Sequence, residues 1–92
     1  MYAYVNVMER EISAPRLFSD IDDAKTAMRK DFLEAIGEDV IKELREKENL
    51  DITDINTHVE LDSEFGIDEF TAWANDSFGP NHANWDGKIF EI

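Results

Sequence analysis

The chain contains no cysteine. That excludes disulfides, thiolate zinc sites, CxxC redox chemistry and a cysteine nucleophile, and it fits a reducing compartment. Only four glycines and two prolines occur in 92 residues, and no Gly-rich phosphate loop or flexible linker can be read from them. Apolar runs are short, far below the length of a membrane span. Met1 to Ile12 has neither a basic segment nor an apolar h-region, so no signal peptide is read and a cytoplasmic location is expected. Basic residues are scarce too. Nine Lys+Arg stand against 22 Asp+Glu, for a net charge of -13 and a pI near 4.3. DNA, RNA and anionic membranes all require a positive surface, so direct binding to any of them is excluded.

What is present suffices for one small folded domain. Apolar residues make up 42% and aromatics 11%, enough for a modest core. A charge surplus of this size repels itself in the compact state, and a short chain buries a limited fraction of its surface. A homodimer or a bound partner would help to stabilise it.

Hydrophobic periodicity gives the expected elements. Tyr2 to Val7 has strand chemistry, with Tyr2, Tyr4 and Asn6 on one face and Ala3, Val5 and Val7 on the other. Pro15 leaves Ser13 to Phe18 as a turn or an edge. Ser19 or Asp20 is a good N-cap, followed by Ile21, Ala24, Met28, Phe32, Ala35 and Ile36 at helical spacing. Gly37 either ends that helix or interrupts a longer one. Val40, Ile41 and Leu44 form the next stripe, with Glu38–Lys42 and Glu43–Lys47 as i,i+4 pairs. Thr57 to Asp62 alternates as a half-buried strand, Ser63 to Asp68 reads as a turn, and Phe70 to Asn75 as another strand. Asp76 to Gly87 reads as a loop, and Lys88 to Ile92 as a terminal strand with Phe90 and Ile92 facing the core. The expected fold is α+β: an antiparallel sheet of about four strands in the order β-α(α)-β-β-β, with one or two helices packed on one face.

The placement of charge is the most informative feature. Between Lys47 and Lys88 lie 40 residues with no base and ten acids, which supply -10 of the total. A solvated acidic face is the plainer reading. The functional reading is a surface for a basic partner, because carboxylates on strands and turns can be spaced like duplex phosphates, about 3.4 Å apart along each strand. Its expected centre is Glu60, Asp62, Glu64, Asp68 and Glu69. Trp73, Phe78 and Trp85 flank the polar loop as core anchors or interface anchors, and Phe65 and Phe78 are the expected exposed aromatics. The two histidines offer a different reading. His58 and His82, with Asp76 or Asp86, have the donor types of a zinc site but no known spacing. No EF-hand loop, nucleophile elbow or diagnostic carboxylate pair is visible.

Ala72-Trp73-Ala74-Asn75-Asp76, Gly79-Pro80-Asn81-His82, Trp85-Asp86 and Ile89-Phe90-Glu91-Ile92 resemble the ends of small acidic proteins of phages and mobile elements. In size, acidity and lack of a catalytic motif the whole chain resembles anti-CRISPR and antirestriction proteins, many of which mimic nucleic acid. The resemblance implies a non-enzymatic inhibitor that occupies the basic groove of an RNA-guided or restriction nuclease. A small zinc-binding domain, an acidic interaction domain without mimicry, and an enzyme with a carboxylate pair are the alternatives.

Overall fold

In the computed structural model, which describes residues 1–60 (Glu60 by its backbone alone), 65–74 and 84–92, the N-terminal alternation forms β1 (Tyr2–Met8). Glu9 and Arg10, both at positive φ, turn the chain into β2 (Glu11–Ile12), as a two-residue hairpin requires. Pro15 then interrupts the edge. The Asn6 amide donates to the Ser13 hydroxyl at 3.0 Å, the Ser13 amide to the Asn6 carbonyl at 2.8 Å, and pairing with β1 resumes in β3 (Arg16–Phe18). β2 and β3 are thus two halves of one broken edge strand, both antiparallel to β1.

The helical region is two helices, α1 (Ile21–Ile36) and α2 (Glu38–Glu48), broken at Gly37 with φ 85°. The Asp20 carboxylate caps α1 by accepting the Asp22 amide, and Asn49 ends α2 in the left-handed region. The Glu43–Lys47 pair forms at 3.3 Å, whereas Glu38 and Lys42 do not pair with each other.

β4 (Val59–Glu60), β5 (Phe65–Ile67), β6 (Thr71–Ala74) and β7 (Trp85–Glu91) complete the sheet. The order is β2-β1-β7-β6-β5-β4, with β3 beside β1 and every pair antiparallel. The expected α+β class is therefore observed, with a wider sheet than the four strands expected. The helical pair carries the chain from one edge to the other.

α1 packs on β1, β6 and β7. Its stripe buries Ala24, Met28, Phe32 and Ile36 against Tyr4, Ile67, Ala72, Ala74, Trp85 and Ile89. Phe32 lies 6.3 Å from Phe65 and 6.2 Å from Trp85, centroid to centroid. Four expectations are corrected. The segment read as the Ser63–Asp68 turn contains β5, and Phe65 is buried rather than exposed because it meets the Phe32 ring. In β7 the core-facing residues are Trp85, Gly87 and Ile89, so Phe90 and Ile92 are exposed. β7 also begins inside the segment read as the Asp76–Gly87 loop.

Gly66 is required by packing. A Cβ there would lie inside the van der Waals envelope of the Trp73 indole. Gly66→Ala is expected to displace that ring and cost about 1–3 kcal/mol, visible as a lower urea midpoint. An unchanged midpoint would show that the indole does not rest on Gly66.

A polar clamp joins β1, β3 and α1. The Tyr4 hydroxyl donates to Asp31 at 2.8 Å, and Arg16 donates to the same oxygen at 2.7 Å while lying 4.8 Å above the Tyr4 ring. Burial first, then the hydrogen bond and charge of Asp31, push the Tyr4 phenol well above its ordinary value of 10.0. The folded state therefore keeps a proton that the unfolded chain loses, so stability is full below pH 10 and falls above it. Melting temperature is expected to decline progressively above that pH, and Tyr4→Phe to flatten the decline. An equally steep decline in Tyr4→Phe would assign it to other groups.

Candidate functional site: acidic turns on the flank of the first helix

The base-free stretch can be followed through its described residues. After α2 the chain makes two Asx turns. The Asp51 carboxylate accepts the Thr53 amide and hydroxyl, and Asp54 accepts the Asn56 amide at 2.9 Å. A third turn joins β5 to β6, where Asp68 accepts the amides of Phe70 and Thr71 at 3.0 and 2.8 Å and the Thr71 hydroxyl at 2.8 Å. A short carboxylate that accepts an amide two residues on mimics a backbone turn, and here it acts beside the backbone bonds from Asp54 to Asp51, Thr57 to Asp54 and Asp68 to Thr71.

Asp51 and Asp68 are also pinned in their charged form. The Thr53 hydroxyl and amide, with Arg45, hold Asp51 below the ordinary carboxylate range. Burial alone would raise Asp68, but the hydrogen bonds from Thr71 and Phe70, together with nearby His58, hold it low. Both turns keep their closing carboxylate ionised at ordinary pH. Their contribution to stability is present above the usual value of 3.8 and is lost as pH falls through the lower folded value.

α1 fixes these turns in space. Lys25 pairs with Glu69 at 3.3 Å. One helical turn later, buried Arg29 donates to the carbonyls of Ile52 and Ile55 at 3.0 and 3.1 Å. Residues four apart share a helix face, so the segment with Asp51 and Asp54 and the segment with Asp68 and Glu69 lie along one flank of α1. Burial lowers the Arg29 pKa, and the charge of Asp54 opposes that shift.

Of the five residues expected at the centre of the surface, Asp68 and Glu69 are exposed and on this flank. Glu60 sits at the outer edge of the sheet by its register with Gly66. Asp62 and Glu64 lie outside the described residues. Of the zinc donors, His82 and Asp76 also lie outside them. His58 and Asp86 are not brought together: His58 precedes β4 beside Asp68, while Asp86 is on β7. Three strand spacings separate β4 from β7, about 14 Å. Among the described residues no group of three or more His, Asp or Glu could hold a metal ion. Phe78 lies outside the described residues, and Trp85 is a buried core anchor.

The chain matches no protein family, no curated protein and no solved structure. Among the described residues no helix is long and apolar enough to cross a membrane. A groove of about 590 Å³ runs between α1 and α2. Its lining combines the apolar Leu33, Ile41 and Ile55 with the charged Lys30, Glu34 and Glu38. Arg29 is the residue that sequence reasoning missed. A cation beside Met28 on the apolar stripe was its only signal.

Proposed function

We propose that this protein is a non-enzymatic acidic inhibitor that fills the basic nucleic-acid-binding groove of a defence nuclease, in the manner of anti-CRISPR and antirestriction proteins. The supporting observation is the gathering of carboxylates from the base-free stretch along one flank of α1, held by backbone caps, Lys25 and Arg29. A groove built for phosphates reads fixed negative charges, and fixed charges lose less entropy on binding than mobile ones. In this reading the surface comprises Asp68 and Glu69, with Asp51 and Asp54 beside them.

The turns allow a clean test. Asparagine closes an Asx turn as aspartate does but carries no charge. A combined Asp51→Asn, Asp54→Asn, Asp68→Asn and Glu69→Gln variant should therefore keep the fold and lose four charges. Partners are first captured at low and high salt and identified by mass spectrometry. Inhibition of a captured nuclease is then measured against salt. At about 0.2–1 kcal/mol per exposed pair, the loss of four charges should weaken binding by about fourfold to a thousandfold, with a shallower salt dependence. Unchanged inhibition and salt dependence in the folded variant would overturn mimicry.

A further inference from the structure

The sheet face opposite the helices differs from the rest of the surface. Alternation along β1, β6 and β7 turns Val5, Val7, Trp73 and Phe90 outward, and the edge strand adds Leu17 beside Ala3 and Ile12 beside Val7. Ile12, Leu17 and Phe90 are 73%, 60% and 45% exposed. The face dips into a shallow concavity of about 400 Å³ between β1, β7 and β6. Across these three strands it carries two charges, Asp86 and Lys88, which cancel. On a chain of net -13, this is a neutral apolar field.

We propose that this face is a two-fold dimer interface, and that its occupant is a second copy of the chain. Two chains of this charge meet most easily where neither carries a surplus. The arrangement of the two charges fixes the symmetry. Asp86 and Lys88 flank Gly87, whose neighbours are Asn6 on β1 and Ala72 on β6. A two-fold axis lying between the sheets, across the strands and over Gly87, places Asp86 over Lys88 of the partner subunit, and the reverse. Val5 then meets Val7 of the partner subunit, and the large Trp73 faces the small Thr71 of the partner subunit. An axis along the strands would instead stack Asp86 on its own copy, and Lys88 likewise. A C2 interface requires such self-complementarity. Facing sheets pack about 10 Å apart, within reach of these side chains. Among the described residues neither Asp86 nor Lys88 makes an ion pair; Lys88 lies 5.1 Å above the Phe90 ring.

Sedimentation equilibrium up to about 100 μM tests the interface, since a micromolar dimer is then largely formed. Wild-type protein should dimerise. Lys88→Asp and Asp86→Lys should each weaken the dimer at least about tenfold. The double swap should restore it, because exchanging both charges recovers the reciprocal pairing along with the neutrality of the face. Both positions are exposed, and circular dichroism confirms the fold of each variant. As a readout without mutation, zero-length carbodiimide crosslinking of mixed ¹⁴N and ¹⁵N protein should give an Asp86–Lys88 crosslink between labelled and unlabelled chains. A wild-type monomer throughout, a single variant that dimerises like wild type, a folded double swap that stays monomeric, or a crosslink confined within chains would each overturn the proposal.

Discussion

Phe32→Ala is expected to remove about 3–5 kcal/mol of folding stability. Phe32 is fully buried and stands between Phe65 on β5 and Trp85 on β7, so its ring ties α1 to both halves of the sheet. Truncation loses the transfer energy of the ring and leaves a cavity that rigid aromatic neighbours fill poorly. A chain of 92 residues has roughly 5–14 kcal/mol in total by the usual per-residue range. Self-repulsion at -13 draws this chain toward the lower end. The variant should thus lose half or more of its stability, with a melting temperature lower by about 20 °C. Urea unfolding with an unchanged slope would register this as a lower midpoint. A loss below about 1 kcal/mol would mean that the ring does not bridge the helix and the sheet. Phe32→Leu keeps most of the volume and should cost far less.

Sequence alone revealed the elements whose causes are local. The α1 stripe from Ala24 to Ile36 follows from spacing within a few residues, while the choice of Asp20 over Ser19 as cap and of a break at Gly37 over one longer helix was narrowed to two options and decided by the structure. The alternation of Tyr2, Tyr4 and Asn6 is local in the same sense. Long-range causes were not legible. Gly66 read as a turn residue, yet it sits in a buried strand because the Trp73 indole lies over it. In β7, apolar residues at 89, 90 and 92 suit either face, and a one-residue shift in assignment inverts the strand. Gly87 decides the matter from the core side, where a Cβ would lie 2.7 Å from the Trp85 ring.

The candidate site was legible as a charge distribution but not as a construction. Asp51-Ile52-Thr53, Asp54-Ile55-Asn56 and Asp68-Glu69-Phe70 each place a capping carboxylate two residues before an amide it accepts. That local turn chemistry was available in the sequence. Counting these residues as charge concealed it. The two roles do not compete, since the hydrogen bonds that close the Asp51 and Asp68 turns also keep those carboxylates ionised. Lys25 and Glu69 are 44 residues apart, and no local pattern joins them.

Arg29→Met should destabilise the protein by about 2–4 kcal/mol and also loosen the segment that carries Asp51 and Asp54. Methionine matches the length and apolar packing of the arginine stem, so little cavity term arises. What is lost is two charge-assisted hydrogen bonds, to the carbonyls of Ile52 and Ile55. Such bonds contribute about 1.5–3 kcal/mol each, and a carbonyl left buried without a donor costs about 1–3 kcal/mol. A gain offsets part of this loss, because the Nε of Arg29 is buried without a partner and burial already disfavours its charge. The balance stays destabilising because Ile52 is fully buried and its carbonyl loses the cation that holds it. Arg29→Lys should recover only part of the loss, as a single ammonium lacks the fork that spans two carbonyls. Hydrogen exchange should quicken at Thr53 to Thr57, where the amides of Asp54 and Thr57 close the next turns, while α1 and β7 stay protected. In the binding assay the same variant should keep its charge-driven association rate and dissociate faster, because the carboxylates remain but are no longer held. Unchanged stability and exchange would show that Arg29 does not anchor this segment. Faster exchange with unchanged dissociation would show that partner binding does not depend on the positions of Asp51 and Asp54.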